Sequence, residues 1–302
     1  METKHYSVAI VGGGPAGLTA ALYLGRAHVN TLVIDKNICG GQIISSPLLE
    51  NVPGYYGSGA DLAVKMLDEV QKYSSVEFEN FNPVLEVHPS YSYNELDGYV
   101  LTLEDGTKIT SEYLICATGS SPIMLKNVQG HNVHYCVTCD GVLYQNKPVA
   151  VIGGGNSALQ YALELTKYAS VVSVVTNEHT LRGEEYMRER VLINPKINVF
   201  TDFNVDSFDG KYLKSTKNEF LYTEGVFVAV GYKTNTSYCG FVSEPGPFTV
   251  DQFYRIYDGD LYLNNAFAIG DCRKKLFNQV VIAMADGCQV ALQIIQDLEK
   301  QI

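Results

Sequence analysis

The 302-residue chain has no tryptophan, no apolar run of 18 residues and no low-complexity segment. Without a long apolar run, no helix reads as a bilayer span, and no membrane partner is expected. Basic residues are few. Lys and Arg number 22 against 33 Asp and Glu, a formal net charge of −11. Neutralising phosphates takes Lys and Arg, so the balance argues against nucleic acid as a partner. Met1 to Tyr6 runs directly into the strand-like Ser7 to Val11. It lacks the apolar core and cleavage site of a signal peptide, so the expected location is cytoplasmic. The seven cysteines are an odd, scattered set. They do not form the even, regular framework of a disulfide scaffold, and most are expected to be small buried hydrophobes.

The length suggests two domains. Two glycine-rich turns mark them. Gly12-Gly13-Gly14-Pro15-Ala16-Gly17 follows the apolar Val8 to Val11, and Gly153-Gly154-Gly155-Asn156-Ser157-Ala158 follows Val149 to Ile152. A helix-like segment succeeds each turn, Leu18 to Arg26 and Leu159 to Tyr168. A second β-branched run succeeds each helix, Thr31 to Ile34 and Val171 to Val175. This is one β-turn-α-β unit written twice, the pattern of two dinucleotide-binding domains. A hairpin is expected where Glu104 to Thr107 separates Tyr99 to Leu103 from Lys108 to Thr110. Strands are expected at 199–201, 205–208 and 220–222, a buried parallel strand at 224–231, and a strand ending in Gly270-Asp271. A long amphipathic helix is expected from Val280 to Leu298.

In the first turn, Gly12 permits a tight reversal, Gly14 lets backbone approach a pyrophosphate, and Gly17 lets helix pack on strand. The pyrophosphate would sit on unspent N–H groups at the helix N-terminus. Asp35 closes the second strand at the spacing of a carboxylate that binds a ribose hydroxyl. Asp271 can place a second carboxylate beside the same ligand, or can simply cap a helix.

Cys136-Val137-Thr138-Cys139-Asp140 is the other informative motif. Two thiols at this spacing can close a disulfide, bind metal, or be buried by chance. A structural zinc site would want a second such pair or two histidines at matching spacing. His131 and His134 do not supply that spacing, so redox exchange is the reading taken. One thiol attacks and the other resolves. Asp140 can give a proton to the leaving thiolate.

Over essentially its whole length the chain resembles the low-molecular-weight thioredoxin reductase family. The resemblance is carried, in order, by Gly12 to Gly17, Gly40-Gly41-Gln42-Ile43, Glu50 to Gly54 and Ala117-Thr118-Gly119. Cys136 to Asp140, Gly153 to Ala158 and Gly270-Asp271-Cys272-Arg273 complete the set. It implies an α/β fold of two Rossmann-like, three-layer ββα domains, the second inserted into the first. Residues 1–117 and 243–302 would bind FAD, and residues 118–242 would form the NAD(P)-binding-like domain carrying the dithiol. FAD would be held by Gly12, Gly14, Pro15, Ala16, Gly17, Asp35, Lys36, Gly41, Gln42 and Asn51 from the N-terminal part. Thr118, Gly119, Gly270, Asp271, Asn278, Gln279 and Val280 would complete the site. Cys139 would face the flavin, Cys136 would exchange with thioredoxin, and Asp140 would be the acid. Family members are homodimers whose domains rotate, with hinges expected near Thr118-Gly119 and Phe241-Val242.

The second domain departs from the family. Its members grip the 2′-phosphate of NADPH with a His-Arg-Arg-x-x-x-Arg motif. Here the aligned residues are Thr176-Asn177-Glu178-His179-Thr180-Leu181-Arg182. Two arginines are lost and a carboxylate is gained. Each charge-assisted contact is worth roughly 1.5–3 kcal/mol, so NADPH affinity should fall on the order of a thousandfold. The carboxylates usually found early in the following helix are replaced by Gln160 and the bulky Tyr161. The pattern is similar to that of pyridine-nucleotide-independent members, and reduced ferredoxin is the expected electron donor. NADH as donor, a dithiol oxidase that uses oxygen, and a flavin-bound redox sensor are the competing readings. Arg182, Arg188, Arg190, Lys196 and the run Arg273-Lys274-Lys275 are the candidate basic patches for an acidic ferredoxin.

Overall fold

The computed structural model describes residues 3–46, 48–92, 95–240, 246–259 and 261–300. The expected hinge at Phe241-Val242 lies outside the described residues. The chain divides into two compact units. One comprises Met1–Ile44, Leu48–Ser121 and Thr234–Ile302, and the other Ser45–Pro47 and Pro122–Lys233. The seams after Ser121 and Lys233 fall four and nine residues inside the boundaries read from sequence.

The first unit is built on an eight-stranded sheet. Its centre is parallel: Lys4–Val11 lies between Thr31–Asp35 and Lys108–Cys116, with Val76–Asn80 and Leu261–Ala268 outside them. Val8 to Ile10 are fully buried. They are apolar on both faces, as befits a strand covered on both sides. The expected hairpin forms, with Leu101 opposite Ile109 and Thr102 opposite Lys108. Helix Pro15–Arg26 packs on the last helix, Val280–Glu299. Gly287 permits this contact, because a Cβ there would lie 2.2 Å from the Ala16 carbonyl oxygen. The last helix has the length and hydropathy of a membrane span. Its Gly287, Val290, Ala291 and Ile294 are buried in this unit, so it is a core helix.

The second unit repeats the plan around a five-stranded parallel sheet. Its order is Val133–His134, Gly225–Val228, Pro148–Ile152, Val171–Val175, Ile197–Phe200. All four residues of Gly225–Val228 are buried, as a central parallel strand requires. A small antiparallel sheet pairs Val205–Phe208 with Tyr212–Ser215 and that strand with Phe220–Tyr222. Tyr212–Ser215 was not foreseen. The helix after the glycine turn is Asn156–Leu165, starting three residues earlier than expected because the turn residues themselves enter it. Both units are Rossmann-like, and the fold class is that expected from the two glycine turns.

Candidate active site

The first glycine turn has the geometry a bound dinucleotide demands. Gly12 sits at φ +108, and a Cβ there would lie 2.4 Å from the Ala117 carbonyl oxygen. A Cβ at Gly17 would meet the Gly12 carbonyl oxygen at 2.0 Å. Gly14 is the N-cap of the helix and offers no side-chain cap, while Pro15 has no N–H to satisfy. The first-turn amides are therefore open to an anion. Asp35 accepts the Gly13 amide at 2.7 Å and the Asn37 amide at 2.8 Å. Its carboxylate is thus fixed at the end of its strand.

The other expected residues gather around this turn. Gly41, at φ +64, approaches Gly14 so closely that a Cβ would lie 2.9 Å from its Cα. Gln42 donates to the carbonyl and hydroxyl oxygens of Ser120, both at 2.7 Å, beside Thr118 and Gly119. Thr118 is clamped by Asn235, which donates from its side chain to the Thr118 carbonyl at 3.0 Å and from its backbone to Gly119 at 3.0 Å. Asn51 donates to Gln279 at 3.1 Å. Gln279 is the N-cap of the last helix, again without a side-chain cap, and Val280 is the first helical residue. Gly270, at φ +70, lies against Ala16 and Ala283, in the first turns of the two helices. Two uncapped helix N-termini therefore meet beside Gly270-Asp271. Lys36 and Asn278 are exposed and join the set only through their sequence neighbours.

Sequence reasoning missed what holds Gly270-Asp271 in place. Asp286, 1 % exposed, accepts the Gly270 amide at 2.9 Å and grips Arg273 through Nε at 2.9 Å and Nη2 at 2.7 Å. This pairing raises the pKa of the Arg273 guanidinium. Asp271 pairs with Lys275 at 2.7 Å, the lysine side chain being 5 % exposed. The signal available was an aspartate within an otherwise apolar stretch of helix. Three thiols are buried nearby: Cys272 donates to the Cys116 carbonyl at 3.2 Å, and Cys116 lies 3.8 Å from Cys239. Burial pushes the Cys272 thiol up to about 12, so it serves packing rather than exchange.

In the second unit, Cys136 and Cys139 form a disulfide, with Cα atoms 5.4 Å apart. Cys136 caps the one-turn helix Val137–Asp140, and its sulfur accepts the Cys139 amide at 3.1 Å. Asp140 pairs with His134 at 3.0 Å. The other five cysteines are unpaired thiols, four of them buried.

The second glycine turn opens a cleft of about 630 Å³, lined among others by Gly153, Gly155, Asn156, Thr176, Asn177 and Arg182. Gly153, at φ +138, and the uncapped N-cap Gly155 repeat the geometry of the first turn. Tyr161 is not among the residues lining the cleft, and its hydroxyl donates to the Tyr135 carbonyl at 2.8 Å. Thr176 is buried, and its hydroxyl accepts the Glu178 amide at 3.3 Å. Arg182, the one arginine retained from the family motif, is paired with Glu178 at 3.3 Å. Of the candidate basic residues, Arg182, Arg273 and Lys275 are paired with carboxylates within their own units. Besides these pairs, Lys196 donates to the carbonyls of Thr166 and Ala169.

An adenine-dinucleotide cradle on one Rossmann unit and a paired dithiol on the other define a flavoprotein disulfide oxidoreductase. The chain belongs to the pyridine nucleotide-disulphide oxidoreductase family, whose model matches residues 6–287. It is 33% identical to a "34.2 kDa protein in rubredoxin operon" of Clostridium pasteurianum, over 96% of each chain. It is 32% identical to a thioredoxin reductase of Listeria innocua, over 95% of this chain and 92% of the other. The structure superposes on Lactococcus lactis thioredoxin reductase in its FR conformation with a TM-score of 0.86, at 29% identity, covering 98% and 99% of the two chains. The protein is an oxidoreductase acting on sulfur groups, similar to thioredoxin reductases, and FAD is its cofactor. The open helix N-termini, the close-packed glycines and the fixed Asp35 suit that cofactor.

Proposed function

We propose that this enzyme reduces the disulfide of thioredoxin through FAD and the Cys136–Cys139 dithiol, with reduced ferredoxin rather than NADPH as its electron donor. The observation that carries the choice of donor is the Glu178–Arg182 pair at the second cleft. A 2′-phosphate entering there would meet a carboxylate and an arginine already engaged. Thr176 and Asn177 stand where the family places basic side chains. The Clostridium pasteurianum relative is named for a rubredoxin operon. FAD is assigned to the unit built from both chain ends, held by the residues around Gly12, Asp35, Gln42, Asn51, Thr118 and Gly270-Asp271. When bound there, the flavin supplies a two-electron store that accepts single electrons.

The chain's own part is thiol exchange. Cys136 sulfur attacks one sulfur of the thioredoxin disulfide, making a mixed disulfide as the thioredoxin S–S bond breaks. Asp140 takes the proton of the attacking thiol and gives it to the leaving thiolate. Cys139 then attacks Cys136, closes the enzyme disulfide and releases the second thioredoxin thiol. Two thiols are oxidised and two are formed, so protons and electrons balance. A cytoplasmic homodimer is part of the same proposal, and the five reduced cysteines suit a reducing compartment.

A second reading is favoured by one observation. The cleft at Gly153 to Gly155 is open, and Glu178 near a free 2′-hydroxyl suits NADH. Anaerobic flavin bleaching separates the donors. Reduced ferredoxin should bleach the flavin and support thioredoxin turnover. Bleaching by NADH alone would transfer the donor role to it, and rapid bleaching by NADPH would overturn the argument from Glu178.

A further inference from the structure

The motif reading stops at Asp140, but the structure continues from it into a buried chain of polar groups. Asp140 Oδ2 lies 3.0 Å from His134 Nδ1. His134 Nε2 lies 2.6 Å from the Tyr144 hydroxyl. The imidazole is 9 % exposed and stacks on Phe227, with centroids 5.1 Å apart and planes at 30°. Tyr144 meets the same Phe227 edge-on at 5.6 Å. The ring is therefore fixed by packing as well as by its bonds. An imidazole buried this fully, with both nitrogens engaged and one of them on the carboxylate that follows the dithiol, is placed for more than filling space.

The hydrogen-bond direction follows from the carboxylate. An ionised Asp140 can only accept, so its 3.0 Å contact places a proton on Nδ1. In the neutral imidazole Nε2 is then the acceptor, and the Tyr144 hydroxyl donates to it. The charged groups facing this chain are few. Asp140 is at one end, and at the Tyr144 end Lys147 lies 5.9 Å above the phenol ring and 3.9 Å from Glu224. The strand Gly225–Val228 presents the apolar Phe227.

We propose that His134 is a positioning residue, one that orients the Asp140 carboxyl toward the dithiol by occupying one of its oxygens. The proposal rests on the reading of Asp140 as the group that carries the exchange proton. In each exchange Asp140 takes the thiol proton and returns it to the leaving thiolate. His134 keeps its own proton throughout and holds the carboxylate while it is empty. A leaving thiolate of low basicity departs without that proton, whereas an alkyl thiolate needs it.

That difference gives the test. The full-length flavoenzyme, reduced anaerobically, is mixed with 5,5′-dithiobis(2-nitrobenzoate) or with bis(2-hydroxyethyl) disulfide, and single-turnover rates are compared. His134→Phe should lose about tenfold or more on the alkyl disulfide, while its rate on the aryl disulfide stays within about twofold. His134→Asn, whose amide can donate from near the Nδ1 position, should recover most of the alkyl rate. Equal losses on both disulfides, or no loss on either, would overturn the proposal. His134→Gln, whose amide lies nearer the Nε2 position and leaves Asp140 without its donor, reads the same loss should the Phe variant lose its fold. Asp140→Asn separates the two claims. If it leaves the ratio unchanged, Asp140 carries no proton and the underlying reading fails. If it shifts the ratio and His134→Phe does not, the role of His134 alone is refuted.

Discussion

Asp286→Ala should be among the most damaging single substitutions in the first unit, although the residue touches no dithiol. Its side chain is 2 % exposed and Arg273 is 15 % exposed, so water screens neither group well. Three hydrogen bonds end on the carboxylate: two from the guanidinium and one from the Gly270 amide. Removing one member of a buried ion pair typically costs about 3–5 kcal/mol, because the other charge stays behind uncompensated. The orphaned Gly270 amide adds to this, and the partial exposure of Arg273 offsets some of it. A net loss of about 4 kcal/mol is expected, which in a unit of this size lowers the midpoint of thermal unfolding by roughly 8–16 °C. Asp286→Asn keeps an acceptor for Gly270 and should lose only about 1–3 kcal/mol. Both variants should also release flavin more readily, since Gly270 is where the two helix N-termini meet. Urea unfolding followed by far-UV circular dichroism, with flavin fluorescence recorded in parallel, measures both effects. A loss below about 1 kcal/mol in the Ala variant, or equal losses in the two variants, would refute the reasoning.

Three further outcomes are expected. Glu178→Arg should speed anaerobic flavin reduction by NADPH about tenfold or more, since it removes a repulsive charge and frees Arg182; stopped-flow bleaching at 450 nm, a general flavin band, reports it. Cys136→Ser should keep its flavin and lose thioredoxin turnover entirely; retained turnover would mean that the dithiol is not the output. Stability should fall on the alkaline side. Burial pushes Cys39 and Cys272 from 9.0 up to about 12, so both stay protonated in the folded state while the unfolded chain sheds those protons. Their contribution is complete below pH 9 and drains between pH 9 and 12, at up to ~1.4 kcal/mol per pH unit for each thiol. Unfolding titrations across that range, with Cys39→Ala and Cys272→Ala as controls, should show the slope and its reduction.

The glycine turns were legible because their chemistry is local. A residue whose Cβ would fall 2.4 Å from a carbonyl oxygen has to be glycine, and its flanking strand and helix declare themselves by apolar period. The dithiol was legible for a similar reason, as two thiols three residues apart need no tertiary knowledge to find each other. The supports of these sites were not legible. Asp286 meets Gly270 and Arg273 only because a helix returns across the sheet, and His134 meets Tyr144 through packing on Phe227. Part of the second basic run depends on the fold in the same way: Arg273 is spent on Asp286, which only the returning helix brings near, whereas Lys275 pairs with Asp271 four residues before it. Tyr161, bulky in sequence, does not line the cleft; its hydroxyl donates to the Tyr135 carbonyl, a partner that no sequence signal announces.

The contact between Gly287 and Ala16 fixes an order of events during synthesis. The first unit takes its opening helix from the start of the chain and its closing helix from the last 23 residues, and the two are pressed together where a single methyl group would not fit. Residues 122–233 leave the ribosome before that closing helix exists, and their parallel sheet is complete without it. The inserted unit, with its dithiol, can therefore fold while the first unit still lacks two of its eight strands and its closing helix. A chain cut short near its C-terminus would carry an intact pair of cysteines and lack the helix that closes the unit proposed to hold FAD.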